Sequence, residues 1–221
     1  MTGIAHPQYR SVVSRFLDNW RKNAIEVSPQ AVSAALLAGS ASERSHRDGQ
    51  SVELVWTGPE VGVVPLRRTE QALLQVIQSA TQRLTVVSYA VYNIPRICES
   101  LLRAADRGVS IKIVVESPNL LEGKKAYSTL AAFGPSIANR CSVFLWLPKD
   151  RQRDNNGKLG ILHVKCAVAD GRWLFVSSAN LTEYAFTLNM ELGLLISGGS
   201  LPAQVEEHFD RMTQTGILIQ S

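Results

Sequence analysis

The chain has 221 residues, 45% of them hydrophobic, and carries a formal net charge of +4. That is long enough to bury a core, and no apolar run approaches the ~20 residues a membrane helix needs. The mild basic excess favours an acidic partner such as nucleic acid without requiring one. The start "MTGIAHPQYRSVVSRF" lacks the apolar segment of a secretion signal, so a cytoplasmic location and no membrane partner are expected. Cys98, Cys141 and Cys166 are odd in number and set in apolar stretches, which suits reduced core thiols better than disulfides or a metal site.

From Gln8 to about Leu37, Val12, Val13, Phe16, Leu17 and Trp20 recur at helical spacing, and Ser28 followed by Pro29 marks a helix start. Two short helices fit. The small, polar stretch "GSASERSHRDGQS" then reads as a linker, giving an N-terminal helical segment over 1–50 and a main domain over 51–221. "VELVW" predicts a strand, and Thr69 is placed to cap an amphipathic helix through Leu73, Leu74, Val76 and Ile77. "LTVVSYAV", a helix from Pro95 to about Arg107, and "VSIKIVVE" form a strand, helix, strand crossover. A helix over Lys124–Phe133 and the strand "CSVFLWL" follow.

The loop "PKDRQRDNNGKLG" comes next, with Lys149, Arg151, Arg153 and Lys158 against Asp150 and Asp154. Taken by charge alone it is a solvated loop; beside a phosphate site the four cations become candidate nucleic-acid contacts. "ILHVKCAVA" and "RWLFVSS" flank Asp170-Gly171, a hairpin signal, and a short helix, the strand "MELGLLIS" and a helix over Pro202–Met212 complete the chain. Alternating helices and strands predict an α/β layer structure with a mixed, mostly parallel sheet.

Along a strand, residues two apart share a face, so His163 and Lys165 point one way while Leu162, Val164, Cys166 and Val168 pack the other. Ala167 and Ala169 leave room on the histidine side. Ser178 and Asn180 fall where the next strand turns into a helix, whose amide end suits an anion. A base, a cation, a hydroxyl and an amide without a carboxylate cluster suit a phosphate group. Lysine and asparagine can hold its free oxygens while imidazole attacks phosphorus or protonates the leaving oxygen, with no metal or other cofactor needed. Glu191 is placed to accept a hydrogen bond from His163 and fix its tautomer. Asp170 sits in a turn that favours aspartate for its geometry alone. Ser177 alternates away from Ser178. Tyr89, Tyr92 and Glu116, near strand ends, are weaker candidates whose bland explanations are aromatic packing and a surface acid.

The order His163, Lys165, Asp170, Ser177, Ser178, Asn180, continued by "NMELG" with Glu191, resembles the HKD signature of the phospholipase D superfamily, with Ser177 replacing the usual glycine. The resemblance implies a phospholipase D-like α/β/α sandwich and a site built from His163, Lys165, Asp170, Ser178, Asn180 and Glu191. It also implies two such motifs per active site, whereas His6, His46 and His208 have no lysine two residues on. A homodimer that places two copies of His163 about one phosphate is therefore expected, with a covalent phosphohistidine on one of them.

The stretches "LVWTGPEV", "VSYAVYNIP" and "GVSIKIVVESP", with the motif region, are similar to the phospholipase D-like proteins of bacterial DISARM anti-phage systems. That similarity implies a defence setting and partnership with other DISARM components. Three functions compete: a phosphodiesterase acting on DNA with little sequence preference, a catalytically weak nucleic-acid-binding or scaffolding subunit, and a phospholipase. The last suffers from the expected lack of an exposed apolar loop for a membrane surface.

Overall fold

The computed structural model describes residues 7–59, 62, 66–117 and 133–221, and the chain divides into two compact units, Met1–Asp48 and Gly49–Ser221. The first unit holds helices α1 (Pro7–Asn23) and α2 (Pro29–Gly49). Ser28 caps α2, its Oγ accepting from the Ala31 amide at 3.2 Å, and Pro29 stands at the first helical position, where a missing N–H costs nothing. The segment expected as a linker is instead the second half of α2. It contains no proline, and its interior glycine, Gly39, costs a helix only about 1 kcal/mol.

The second unit is built on a nine-stranded sheet ordered β11-β6-β5-β3-β7-β8-β10-β1-β2. The strands are β1 (Gln50–Thr57), β2 (Arg67–Arg68), β3 (Arg83–Ser88), β5 (Ser110–Val115), β6 (Ser142–Trp146), β7 (Cys166–Ala169), β8 (Trp173–Ser177), β10 (Glu191–Gly198) and β11 (Leu218–Gln220). Strands β4 (Val91–Tyr92) and β9 (Leu181–Thr182) form a separate short ladder. The helices are α3 (Thr69–Ser79), α4 (Pro95–Asp106), α5 (Glu183–Thr187) and α6 (Leu201–Gln214).

The sheet is mixed, but parallel pairing is confined to β3-β5-β6 and the β1-β2 edge. The other five ladders are antiparallel, so the expected mostly parallel character is corrected. Parallel neighbours need a crossover such as α4, whereas β7 doubles back into β8 through a tight turn. In the β7–β8 turn Asp170 and Gly171 both take positive φ, as a tight hairpin requires. The helix expected over Lys124–Phe133 lies outside the described residues except for Phe133, which opens a helical stretch over 133–138. Thr69 does not cap α3; Arg68 holds the cap position, and the Thr69 hydroxyl accepts from Thr57 Oγ1 at 2.6 Å.

Each face of the sheet carries a core. On one, Val86, Ala167, Ala169, Phe175 and Leu195 pack with Leu73, Val76 and Ile77 of α3 and Ile97 and Leu101 of α4. On the other, Val87, Val114, Cys166, Val168, Leu174 and Ile196 pack with Phe209 of α6. Each fully buried Leu or Ile contributes about 1.5–3 kcal/mol. Ala167 and Ala169 are thus core residues rather than open space beside His163. Cys166 is buried, and that burial pushes its thiol up to about 12, an inert group.

Candidate active site

Antiparallel pairing of β7 with β3 and β8 sets the start of β7 beside the end of both, since Cys166 pairs with Val87 and with Val176. In the same way Ser177 at the end of β8 pairs with Gly193 near the start of β10. His163, Lys165, Ser178, Asn180, Glu191 and Tyr89 are therefore delivered to one end of the sheet. A Cβ on Gly193 would come within 2.6 Å of the Val176 carbonyl oxygen, so only glycine permits this approach of β10 to β8.

His163 and Lys165 precede β7 rather than lying within it. The His163 imidazole is exposed, and its ring centroid is 5.5 Å from that of Tyr89. Lys165 is buried, while Val164, expected in the core, is exposed. The Lys165 ammonium donates to the His163 carbonyl oxygen at 2.7 Å and stands 5.8 Å from the centroid of the Tyr89 ring. Burial pulls its pKa below the ordinary value, and the Glu191 carboxylate opposes that shift.

Glu191 is held by Ser178 and Asn189. The Ser178 hydroxyl donates to Oε2, and Asn189 Nδ2 donates to Oε1 at 3.0 Å. Both carboxylate oxygens thus serve the turn between β8 and β10, and each keeps a lone pair free for a further donor such as His163. Ser178 also ties its backbone to Leu192, donating its amide to the Leu192 carbonyl at 3.0 Å while its Oγ accepts from the Leu192 amide at 3.2 Å. Ser177 is more than a neighbour, donating to the Leu192 carbonyl at 3.1 Å and accepting from the Ala179 amide.

Asn180 brings an amide whose buried Oδ1 has no hydrogen-bond partner among the described residues. An unpaired buried acceptor costs about 1–3 kcal/mol, and it suits a donor, whereas a phosphate oxygen would have to be met by Nδ2. Its backbone is fixed by the Thr182 amide donating to the Asn180 carbonyl at 2.8 Å and by the Leu181 amide donating to Ser88 Oγ at 3.1 Å. The helix expected to offer an anion its N-terminus is the five-residue α5, and Thr182 Oγ1 already takes the Ala185 amide at its start. An anion at this end of the sheet would therefore meet side chains.

Asp170 lies apart from the other site candidates. It sits at the far end of β7, and its carboxylate accepts from the Thr81 amide and hydroxyl (both 2.7 Å) and the Gln82 (2.9 Å) and Arg83 (2.7 Å) amides. Six residues separate it from His163, four of them the whole of β7, which alone is roughly 13 Å long at the rise of a strand. Burial alone would raise its pKa, but these hydrogen bonds together hold it below the usual carboxylate value.

The basic loop also splits. Lys149, Arg153 and Lys158 are exposed, and Asp154 Oδ1 organises the turn by accepting from the Asn156 (2.9 Å) and Lys158 (2.8 Å) amides. Arg151 is fully buried with Glu116, so it is withdrawn from any nucleic-acid surface, and Glu116 is not a surface acid. Their long-range pairing has no local sequence pattern. Tyr92, the other weak candidate, stacks on Tyr184.

The chain belongs to the phospholipase D-like domain family: residues 73–213 match the family described as "Cardiolipin synthase, PLD-like domain". Among relatives, the DISARM protein DrmC of Bacillus paralicheniformis is 28% identical over 153 residues, 67% of this chain and 58% of that protein. Cardiolipin synthase A of Erwinia tasmaniensis is 26% identical over 165 residues, 73% of this chain and 31% of its own length. The chain thus spans less than two thirds of either relative. Two solved structures share the fold: Nuc of Salmonella typhimurium (TM-score 0.54, 22% identity, covering 78% of this chain and 98% of Nuc) and NucT of Helicobacter pylori (TM-score 0.60, 19% identity, covering 78% and 99%).

No helix among the described residues is long and apolar enough to cross a membrane. The expected lack of exposed apolar groups beside the site is corrected, because Leu188 and Met190, flanking Asn189, are 73% and 70% exposed.

Proposed function

We propose that the chain is a metal-independent phosphodiesterase, a nuclease acting on DNA with little sequence preference, in a bacterial cytoplasmic anti-phage setting alongside other DISARM components. The observation that carries this reading is an exposed His163 imidazole beside Tyr89, with the Lys165 ammonium and the Asn180 side chain delivered to the same end of the sheet. The Lys165 ammonium neutralises charge on the non-bridging oxygens of a diester, Asn180 Nδ2 donates a hydrogen bond to them, and the exposed imidazole attacks phosphorus. The new P–N bond forms as the P–O bond to the leaving oxygen breaks, and a proton must reach that oxygen. Water then attacks the phosphohistidine and restores the imidazole.

One histidine cannot be nucleophile and opposing acid in the same step. A homodimer supplies the second from another copy of the chain, and an exposed apolar sheet face supports this state. Val52, Leu54, Val176, Leu192 and Leu194 lie exposed on adjoining strands of the second unit, and Leu192 is bonded to Ser178. Such a contiguous patch marks an interaction surface. The test is cleavage of single- and double-stranded DNA in excess EDTA by wild type and His163→Ala. Cleavage that survives chelation and disappears in the variant supports the proposal; no DNA cleavage by the wild type overturns it.

A second reading, transfer or hydrolysis of a phospholipid diester, is favoured by exposed Leu188 and Met190 beside Glu191. Head-group release from anionic vesicles without DNA cleavage would select it.

A further inference from the structure

The connection that brings the chain to His163 is fastened by one buried ion pair. Glu116 directly follows β5, and its side chain and that of Arg151 are both fully buried. Arg151 grips the carboxylate with both terminal nitrogens, NH1 to Oε2 at 2.9 Å and NH2 to Oε1. The same guanidinium donates to the Gly160 carbonyl at 3.0 Å and to the Trp146 carbonyl through Nε at 3.1 Å, with its Cζ 4.5 Å from the Trp146 ring centroid. Glu116 Oε2 in turn accepts from the Leu162 amide at 2.8 Å, and Leu162 immediately precedes His163.

We infer that the Glu116–Arg151 pair is a positioning device for His163. The pair links the end of β5, the end of β6, the far side of the basic loop and the peptide group next to the histidine. His163 itself lies outside the β7 ladder, so sheet pairing does not fix it. A buried pair is weak as a stabiliser, since apolar replacements of similar size often serve the fold equally well. Its worth here is geometric: a displacement of about 1 Å in an attacking group costs roughly 100-fold in rate.

The kinetic arm of the test rests on the diesterase reading; the spectroscopic arm does not. Two double variants separate positioning from stability. Glu116→Met/Arg151→Met removes both charges and the acceptor for Leu162 N–H, while Glu116→Gln/Arg151→Met removes both charges and keeps an amide oxygen there. The readouts are melting temperature, the His163 Cε1–H proton resonance assigned by its loss in His163→Ala, and steady-state cleavage.

The Met/Met protein is expected to melt near the wild type, to broaden or split the His163 resonance, and to lose about 10- to 100-fold in kcat with little change in KM. The Gln/Met protein should recover the single resonance and most of kcat. A folded Met/Met protein with a wild-type resonance overturns the inference, as does equal loss in both variants. Should Met/Met not fold, Arg151→Lys decides: lysine retains the charge but cannot reach Glu116, Trp146 and Gly160 together, so an unperturbed His163 resonance in that variant overturns it. If the wild type cleaves no diester, the diesterase reading fails and the resonance alone decides the positioning.

Discussion

The ammonium of Lys165 donates to the carbonyl oxygen of His163, two residues back along the same chain. The cation is thus folded onto the peptide that carries the candidate nucleophile. Burial makes its charge costly, so its pKa lies below the ordinary lysine value although Glu191 pulls the other way. A diester entering beside His163 would compete for this ammonium and favour the charged form.

That competition predicts an alkaline limit to catalysis. The free protein should lose kcat/KM as pH rises through a Lys165 pKa below 10.5, while the limb in kcat, which reports the bound state, lies higher. Replacing Lys165 with methionine should lower kcat about 100- to 1,000-fold and remove the limb. A pH–rate profile from pH 6 to 11 checks this, and coincident limbs in kcat and kcat/KM would count against a phosphate contact by Lys165.

Asp170 shows how a signature position can serve the fold. With four hydrogen bonds from Thr81, Gln82 and Arg83 it binds the β7–β8 turn to the start of β3. Asp170→Asn tolerates the positive φ yet loses half of these acceptors, and should cost about 1–3 kcal/mol. Because the native pKa lies below the ordinary carboxylate value, this stability is fully present above that value and disappears as pH falls through the native pKa. Denaturant melts of wild type and variant should therefore converge in strong acid. Folded Asp170→Asn should retain wild-type kcat, and a loss beyond about 10-fold would return Asp170 to the chemistry.

What could be read from the residues and what could not divide along the range of the interactions. The Asp170-Gly171 hairpin, the Ser28 cap and the helix from Pro95 depend on neighbours in the chain, and turn and cap chemistry announces them. The spacing of His163, Lys165, Ser178 and Asn180 survives as a cluster because an antiparallel hairpin necessarily returns the chain to its starting end. Arg151 and Glu116 are 35 positions apart, and a charged residue in a polar loop carries no mark of the partner that buries it. The continuation of α2 through "GSASERSHRDG" shows the opposite error, in which small polar composition outweighed the absence of a helix breaker. Val164 is exposed and not packed because strand alternation does not hold before the strand begins at Cys166.

The basic loop should act by charge and not by base reading. Lys149, Arg153 and Lys158 are exposed, and the Arg153 side chain donates to the Gly157 carbonyl at 2.9 Å. Neutralising all three to glutamine should weaken duplex DNA binding evenly across sequences and reduce the slope of log K against log salt by about 2–3. Fluorescence anisotropy over a salt series measures this. An unchanged slope would place the DNA path elsewhere. Arg151→Gln is expected to behave differently, lowering the melting temperature because it strands the buried Glu116 charge.

Leu194 on β10 lies between Leu54 of β1 and Val176 of β8, and all three are exposed. A charge there adds little cost to an isolated chain, because an already exposed strand position tolerates substitution within about 0.5 kcal/mol. At an interface between two copies the twofold relation would bury that charge twice, with no partner of opposite sign among these apolar neighbours. Leu194→Asp should therefore leave the melt nearly unchanged while shifting the sedimenting species from dimer to monomer at micromolar concentration. With only one His163 at the phosphate, cleavage should fall by about 100-fold or more, the contribution of a positioned acid. A monomer that cleaves at the wild-type rate would show that one histidine suffices, and a dimer that persists in Leu194→Asp would place the interface on another face of the domain.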